Sequence, residues 1–290
     1  MDSVSHLLRH FALHAGVFYT GNICGLHDFL QDEQRGHLHL IKSGHLQVIG
    51  VRTVDFTISE PTLLFLPRPD NHRLLADEPA GADVVCGTVQ FGGGGSNPIS
   101  SSLPDVVLIE IRHLPGLDAL LEMMFEEAFA AHCGRQAVMD RLCEILIIRL
   151  LRYAIAHGQT QGGTLAGLAD PRLRVVLEAI HDGPGRDWSL ESMAAQAGMS
   201  RARFASRFRE VTGETPAEYL ASWRVMSAQR LLKKGLQLKR IATDVGYGSP
   251  SALSRAFTRK LGCSPSEWLR NEPTAVSYTH LRAHETSLHL

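Results

Sequence analysis

The chain has 290 residues, of which 44% are hydrophobic and 20% are charged, and its formal net charge is −1. This length and composition are typical of a globular protein with two domains, each large enough to bury its own core. No apolar run reaches the roughly 18–20 residues that a membrane-spanning helix needs, and the first residues lack a signal-peptide pattern, so we expect a cytoplasmic protein without a membrane partner. The five cysteines show no CxxC spacing, which excludes a disulfide framework and a zinc ribbon.

The nearly neutral total hides two halves of opposite charge. Residues 171–272 contain 17 Lys and Arg against 10 Asp and Glu, whereas residues 1–170 contain 11 against 19. A basic region beside an acidic one predicts that only the C-terminal half of the chain meets a polyanion such as nucleic acid.

Residues 1–115 have the pattern of a β domain. Short segments in which apolar and polar residues alternate, such as 37–41 and 45–51, are separated by turn-forming dipeptides, among them Glu60-Pro61. Strands of about four to seven residues at even spacing favour an antiparallel sandwich or barrel. The glycine-rich segment 92–98 predicts a loop at the end of this sheet region.

Helical periodicity replaces the strand pattern in residues 116–157. Apolar residues recur at helical spacing on both sides of Cys133-Gly134, which predicts two antiparallel helices joined as a hairpin. The second helix is apolar around much of its circumference, because residues 145–148 and 150–151 are all Leu or Ile. Its apolar faces are either buried core or a surface that joins two copies of the chain.

The C-terminal domain is expected to begin after a linker. Residues 158–169 are rich in Gly, Gln and Thr, a composition typical of linkers. Asp170 and Pro171 predict the N-cap and the first residue of the next helix. We therefore assign residues 170–272 to a separate C-terminal domain.

Two stretches of this C-terminal domain repeat each other. Residues 193–220 and 241–269 align with one extra residue in the second copy, and each combines a short helix, a glycine-containing turn and a second helix. Such a unit is a helix-turn-helix, and the repeat predicts that the chain uses it twice. Residues 216–232 form one continuous helical pattern between the units, which would hold the two second helices about 34 Å apart, one turn of DNA duplex.

The buried positions of each second helix define the residues that face outward. Phe204 and Phe208 bury one side of the first, and Leu253 and Phe257 one side of the second. Arg255 is the strongest candidate for a base contact, because a guanidinium can bond two acceptors of guanine at once. The candidate DNA-contacting residues are Arg201, Ala202, Arg203, Ala205, Ser206, Arg209, Ser251, Ser254, Arg255, Thr258 and Arg259.

These candidates divide by chemistry. The Ser residues can bond bases or phosphates and the Ala residues can contact thymine methyls, although each is equally compatible with an ordinary solvated helix position. A further set of basic residues is expected to touch phosphates or to face water: Arg201, Arg203, Arg207, Arg209, Arg259 and Lys260.

A series of short motifs runs through the C-terminal domain in a fixed order. They lie at residues 190–200, 204–208, 212–216, 230–232, 241–247, 257–262 and 265. In identity and spacing they resemble the DNA-binding domain of the AraC/XylS family of bacterial transcription regulators. The resemblance implies an all-α domain with two helix-turn-helix units, double-stranded promoter DNA and RNA polymerase as partners, and a tendency to activate. From the apolar hairpin helix we also expect a homodimer. Ala202 and Ala205 stand where many relatives have larger side chains, so we expect the second unit to dominate base reading.

Residues 17–115 carry a second set of motifs. It comprises His39-Leu-Ile-x-x-Gly44, 63–67, His72, Cys86-Gly87, 97–98 and 103–104. These resemble the cupin-type sensory domain found in one branch of the same family, which includes regulators that respond to reactive chlorine or other oxidants. The resemblance implies a cupin-like barrel that senses an effector, either an oxidant or a small organic molecule.

Four residues are candidates for the effector site: Cys24, His39, His72 and Cys86. Many cupins bind a metal through His-x-His, a Glu and a later His, and His37 completes part of that set. Because no Glu follows closely after His39, we expect no metal or other cofactor, and the histidines can equally be structural. The two cysteines are either an oxidant-sensitive pair or buried apolar residues.

Two rival functions are less consistent with the sequence than a transcription regulator. A metal-dependent cupin enzyme fused to a DNA-binding module is disfavoured by the incomplete ligand set, and an architectural DNA protein by the large acidic N-terminal domain. We thus expect no enzymatic activity.

Residues 276–286 resemble translated read-through of a sequencing-library adapter, so we set residues 273–290 aside as a non-native or disordered tail.

Overall fold

A computed structural model describes residues 3–30, 35–52, 54–92, 97–114, 116–130 and 132–271. Glycines 93–95 of the predicted loop and all of the predicted tail lie outside these ranges. Within them, no helix is both long enough and apolar enough to cross a bilayer.

The N-terminal part of the chain is an antiparallel β structure preceded by a short helix, α1 (Ser3–His10). The strands of the described residues are β1 (Leu13–Ile23), β2 (Gly25–Phe29), β3 (Gly36–Gly44), β4 (Leu46–Val51), β5 (Val54–Ile58), β6 (Thr62–Leu66), β7 (His72–Ala76), β8 (Ala82–Phe91) and β9 (Val107–Glu110). They form one sheet in the order β1-β8-β3-β6-β9 and a second in the order β2-β7-β4-β5. This confirms the predicted cupin-like barrel or sandwich.

The central strands of the five-stranded sheet are buried on both faces, because each face covers a different core. On β3, Ile41 packs into the interior between the two sheets, whereas Leu38 and Leu40 pack on the outer face. On β8, Cys86 faces the interior and Val85 the outer face. This alternation follows from the two-residue period of a strand.

The outer face of that sheet is covered by the helical hairpin, α2 (Asp118–Phe129) and α3 (Arg135–Ala156). Helix α3 packs across β1, where Asp140 Oδ1 accepts a hydrogen bond of 3.0 Å from the backbone N–H of Val17, beside a bulge in the strand. Most apolar side chains of α3 are buried there, which explains its apolar circumference as core. Val138 and Ile145 are the exceptions, with 40% and 47% of their surface exposed.

The predicted linker contains a buried helix, so the linker prediction was wrong for its second half. Residues Gly163–Ala169 form α4, in which Leu165 and Leu168 are fully buried. These side chains pack into the same core as the barrel and the hairpin. The Gly and Thr content indicated flexibility, but two leucines at helical spacing were enough to dock the segment.

The C-terminal domain consists of helices alone in its described residues. They are α5 (Pro171–Asp182), α6 (Leu190–Gln196), α7 (Arg201–Thr212), α8 (Pro216–Lys233), α9 (Leu238–Asp244), α10 (Pro250–Leu261) and α11 (Pro265–Asn271). The first helix-turn-helix unit is α6–α7 and the second is α9–α10, with α8 as the connecting helix. The all-α double helix-turn-helix domain is thereby confirmed.

Local sequence signals account for the ends of these helices. Asp170 caps α5 by accepting hydrogen bonds from the N–H groups of Arg172 and Leu173, as predicted. Thr215 and Glu218 form a capping box at the start of α8. Gly198, in the turn of the first unit, has a φ of 64°, a conformation that side chains rarely adopt.

The two units differ in the core to which they belong. Phe204 and Phe208 of α7 are part of one continuous core that also contains the outer face of the barrel and the hairpin. Leu253 and Phe257 of α10 are part of a separate core, formed by α8 to α11. Only the first unit is therefore packed as an extension of the N-terminal domain.

Candidate nucleic-acid interface and sensory site

Helix α7 presents a small, weakly polar face. Phe204 and Phe208 are fully buried, which turns Ala202, Ser206 and Arg209 to the surface. Ala205 is half-buried. This outward face offers one guanidinium and one hydroxyl for hydrogen bonds with a DNA groove.

Helix α10 presents a more polar face at the corresponding positions. Ser251, Arg255 and Thr258 are exposed, and Ser254 is half-buried. Ser249 caps the helix: its side chain accepts a hydrogen bond from the N–H of Ala252. Its outward face thus has a guanidinium and three hydroxyls on a capped helix.

The basic residues near these helices are in two different situations. Arg201 and Arg203 at the start of α7, and Arg259 at the end of α10, are exposed and available to phosphates. Arg207, by contrast, is held by two carboxylates: its Nε lies 3.0 Å from Asp170 Oδ2 and its Nη1 3.2 Å from Glu210 Oε2. The Arg207 side chain therefore joins α7 to the start of α5 and is not free for a phosphate.

Helix α4 joins the barrel to α8 and α5 of the C-terminal domain through hydrogen bonds. The backbone N–H of Leu165 donates to Ser102 Oγ at 3.3 Å, and Ser102 belongs to the segment between β8 and β9. On its other side, Thr164 Oγ1 accepts from Tyr219 Oη of α8 at 3.3 Å. Tyr219 Oη also lies 2.7 Å from His181 Nε2 of α5. A buried polar chain thus runs from the barrel into the C-terminal domain.

Helix α1 makes a second junction with the same domain. His6 Nδ1 lies 3.1 Å from Asp182 Oδ1, and the rings of His10 and Trp223 have centroids 4.9 Å apart. The ring of His181 stacks on Trp223 at 3.6 Å. Burial lowers the pKa of His10 to about 4 and that of His181 well below its ordinary value. Both imidazoles are therefore neutral at pH 7.

Three of the four sensory candidates meet inside the barrel. His39 Nδ1 lies 3.1 Å from Cys86 Sγ, and His39 Nε2 lies 2.7 Å from His72 Nε2. His72 Nδ1 donates to the carbonyl of Asp70 at 3.3 Å, which leaves its Nε2 as an acceptor. His39 Nε2–H must then donate to His72, and Cys86 S–H to His39 Nδ1. The three groups form one directional chain of hydrogen bonds.

Burial keeps this chain neutral. It lowers the pKa of His39 well below its ordinary value and that of His72 to about 4, and it raises the pKa of the Cys86 thiol. The ring of Phe29 stacks on His72 with centroids 5.2 Å apart. The thiol proton therefore stays on sulfur until a reaction at the sulfur displaces it.

Cys24, the fourth candidate, lies apart from the other three. It is exposed at the end of β1, where its Sγ is 3.5 Å from Asn22 Oδ1 and from the carbonyl of Pro79. Cys86 is paired with Tyr19, five residues back along β1, which places the two cysteines about 17 Å apart. A disulfide needs Cα atoms within about 7 Å, so these two cannot join in this conformation.

Two of the histidines considered as cupin metal ligands approach each other. His39 Nε2 and His72 Nε2 lie 2.7 Å apart and share a hydrogen bond. Across the described ranges, no three His, Cys, Asp or Glu side chains are arranged to hold a metal ion.

Several residues of the site were not predicted from the sequence. Arg224 of α8 donates to two carbonyls before α6 and packs on Tyr247 of the second unit. Thr164, Tyr219 and His181 form the polar chain described above. In this polar chain, the hydrogen-bonded partners are about 40 residues or more apart along the sequence, so no local pattern could have indicated the contacts.

Comparison with known families supports both halves of the structure. A family model described as Cupin matches residues 2–156, and one described as Helix-turn-helix domain matches residues 193–271. The RCS-specific HTH-type transcriptional activator RclR of Escherichia coli (strain K12) is 32% identical over 217 residues, which are 73% of this chain and 76% of RclR.

Further similarities cover smaller parts of the chain. A putative AraC-like transcription regulator of Streptomyces lividans is 34% identical over 66% of this chain and 64% of its own length. The DNA-binding domain of the transcriptional factor AdpA, solved in complex with a target DNA, is 38% identical over 35% of this chain and 91% of that domain, with a TM-score of 0.33. Because the cupin match spans more than half of the chain and RclR matches over most of its length, the chain belongs to the AraC/XylS family of DNA-binding transcription regulators, in its branch with a cupin-type N-terminal domain.

Proposed function

We propose that this chain binds a specific promoter sequence by placing α7 and α10 in successive segments of the major groove. The observation that carries the proposal is the presence of two equivalent helices, each buried on one side by aromatic or aliphatic residues and exposed with polar residues on the other. One rigid helix, α8, connects them. A major groove is wide enough to admit such a helix.

The exposed chemistry favours the second unit for base reading. Arg255 can bond the O6 and N7 atoms of one guanine, and Ser251 and Thr258 lie on the same face. In the first unit, Ala202 and Ala205 can make only apolar contacts. Exposed arginines flanking both helices supply phosphate contacts, which position the protein without reading sequence.

Activation is the proposed outcome of binding. RclR, to which this chain is similar over most of its length, is named as a transcriptional activator, and the family tendency is the same. We expect RNA polymerase as the partner at the promoter.

Cys86 is the proposed sensor, and the similarity to RclR suggests an oxidant as the signal. With hypochlorous acid, the Cys86 sulfur takes up chlorine and forms a sulfenyl chloride, and the hydroxide that leaves combines with the thiol proton to give water. Because Cys86 is fully buried and burial raises the pKa of its thiol, the reaction requires an opening of the barrel that admits the oxidant, and His39 Nδ1, 3.1 Å from the sulfur, takes the proton as the sulfur reacts. Hydrolysis of the sulfenyl chloride gives a sulfenic acid and releases chloride and a proton, and the added oxygen changes the hydrogen-bond chain around the sulfur.

Helix α4 offers a path from this sensor to the DNA-binding domain. Cys86 lies on β8, and the segment that follows β8 carries Ser102, which bonds to α4. Helix α4 packs in turn on α5 and α7. A shift of the strand would therefore reach the first helix-turn-helix unit through contacts already present.

A homodimer is the proposed assembly. Val138 and Ile145, seven residues apart, lie exposed on the same face of α3. Arg141, exposed between them, is paired with Glu144 at 3.0 Å, so each copy brings charges of both signs. An antiparallel pairing of two α3 helices would cover both apolar side chains.

The test of the function is selection of binding sites from a pool of random double-stranded DNA, followed by fluorescence anisotropy on the selected sequence. We expect one sequence that binds at least 10³-fold more tightly than scrambled DNA at about 150 mM salt. Equal affinity for selected and scrambled DNA would overturn the proposal.

The sensor is tested on the same DNA before and after stoichiometric hypochlorous acid. The Cys86→Ser variant should lose the change in affinity, and Cys24→Ser should keep it. If the wild-type protein responds and both variants respond equally, Cys86 is not the sensor.

A further inference from the structure

Arg224, in the middle of α8, contacts both the loop that leads into the first helix-turn-helix unit and the turn of the second. Its Nε donates to the carbonyl of Pro184 at 2.8 Å, and its Nη2 donates to the carbonyl of Arg186 at 3.0 Å. Both carbonyls belong to the loop between α5 and α6, which leads into the first unit. One guanidinium thus ties the connecting helix to the start of the first unit at two points.

The same guanidinium also contacts the second unit. It lies over the ring of Tyr247, 5.7 Å from the ring centroid. Tyr247 belongs to the turn between α9 and α10. The backbone is equally close: a Cβ on Gly246 would lie 2.7 Å from Arg224 Nη2, and a Cβ on Gly185 would lie 2.5 Å from the carbonyl oxygen of Asp244. Only glycine allows the loop of one unit and the turn of the other to approach this closely.

The chemistry of the contact favours a geometric role. A guanidinium is planar and presents its donors in fixed directions, so two carbonyls and one ring determine its position completely. Arg224 is half-buried, and burial lowers its pKa, which means that the contact costs desolvation of a charge. A lysine would keep the charge but could not reproduce two divergent hydrogen bonds.

We propose that Arg224 is a positioning residue that fixes the distance and rotation between α7 and α10, and thereby the spacing between the two DNA segments that the chain accepts. The inference rests on the proposed function, since it concerns how the two units bind one operator together. Arg224 itself touches neither base nor phosphate in this role.

The physical consequence is a gain in affinity on correctly spaced DNA only. When the first unit is bound, a rigid connection holds the second at its own segment, and the second binding step becomes intramolecular. Two segments one helical turn apart lie on the same side of the duplex, about 10–10.5 base pairs from centre to centre. Loosening the connection lowers the effective concentration but leaves each unit's own contacts intact.

The experiment measures affinity on the selected operator and on versions with one or two base pairs inserted or deleted between its segments. Each protein is also measured on DNA that keeps only the second segment. The variants are Arg224→Lys, which keeps the charge, and Tyr247→Phe, which keeps the ring. Thermal unfolding of each variant checks that both units are folded.

For the wild type, we expect a loss of about 10-fold for each base pair of wrong spacing. Arg224→Lys should bind the best operator about 10-fold more weakly and should discriminate between spacings by less than about 3-fold, with single-segment affinity changed by less than about 2-fold. Tyr247→Phe should behave as the wild type.

Two results would overturn the role of Arg224 while leaving sequence-specific binding intact. One is an unchanged spacing preference in Arg224→Lys, and the other is an equal loss on operator and single-segment DNA. A wild-type protein that selects no sequence would instead overturn the proposed function itself.

Discussion

The two helix-turn-helix units share one plan but differ in what surrounds them. The first lies against α4 and α5, and its Phe204 and Phe208 pack into a core that continues through the hairpin to the barrel. The second has its own core around Phe257 and meets the first through α8 and Arg224. Its outward face carries Arg255 and three hydroxyl side chains, whereas that of the first carries one guanidinium and one hydroxyl. We propose that the unit coupled to the sensory domain is distinct from the unit that dominates base reading.

This division has a mechanical consequence. We propose that a change in the barrel reaches the first unit through Ser102 and α4, which packs on α7. It reaches the second through α8, whose Tyr219 belongs to the first core and whose Val225 and Ala228 belong to the second. In this proposal, regulation acts on whether the two units bind together, and the sequence read by the second unit stays the same.

The largest expected difference concerns the two cores. Phe257→Ala and Phe208→Ala should each cost about 3–5 kcal/mol, because each removes a fully buried aromatic ring. Hydrogen exchange should show the loss of protection after Phe257→Ala confined to α8–α11. After Phe208→Ala it should extend to α4 and α5. Loss of protection in α4 after Phe257→Ala would contradict separate cores.

A smaller difference concerns the two outward faces. Arg255→Ala should weaken specific binding by about 1–3 kcal/mol and relax discrimination at one base pair. Arg209→Ala should weaken binding to all sequences and reduce the salt dependence by about one phosphate contact. The measurement is the affinity for single-base-pair variants of the operator at several salt concentrations. It separates a base contact by Arg255 from a phosphate contact by Arg209. Equal loss on every sequence after Arg255→Ala would make Arg255 a phosphate contact.

The polar chain at α4 gives a smaller effect still. Tyr219→Phe removes the hydroxyl between His181 and Thr164 and should lower the free energy of unfolding by about 1 kcal/mol. Tyr247→Phe, in the second unit, is the matched control and should change it less. The comparison is made by urea unfolding. Equal effects would show that the hydroxyl chain contributes nothing specific.

The weakest effect is a dependence on pH at the α1 junction. Burial lowers the pKa of His10 from its ordinary 6.5 to about 4, so the unfolded chain binds a proton more readily than the folded one between these values. The contribution of neutral His10 to the free energy of unfolding is therefore fully present above pH 6.5 and is lost as the pH falls toward 4. His10→Phe should reduce this slope in urea unfolding at successive pH values, and an unchanged slope would remove His10 from the explanation.

Local signals predicted the C-terminal domain well. The repeat, the cap at Asp170 and the buried phenylalanines of α7 all depend on residues within a few positions of each other. The β domain was predicted for the same reason, since alternation is a property of neighbouring residues. The DNA-contacting residues stay predictions, although the structure exposes most of them.

The remaining features depend on residues far apart in the sequence. Helix α4 was hidden by a linker composition because its stability comes from packing on the barrel and α7. The separation of Cys24 from Cys86 follows from strand register, which the sequence pattern did not specify. Arg224 resembles any other helical arginine until the loop at Pro184 is folded beside it.

Hydroxyl-radical footprinting of the wild-type protein on its selected operator tests the central claim most directly. The two units should protect two segments on one side of the duplex, about 10–10.5 base pairs apart, from one bound chain per pair of segments. In Arg255→Ala, protection of the segment read by α10 should weaken first. A single protected segment for each chain, or two segments on opposite sides of the duplex, would contradict a chain that reads DNA with both helices.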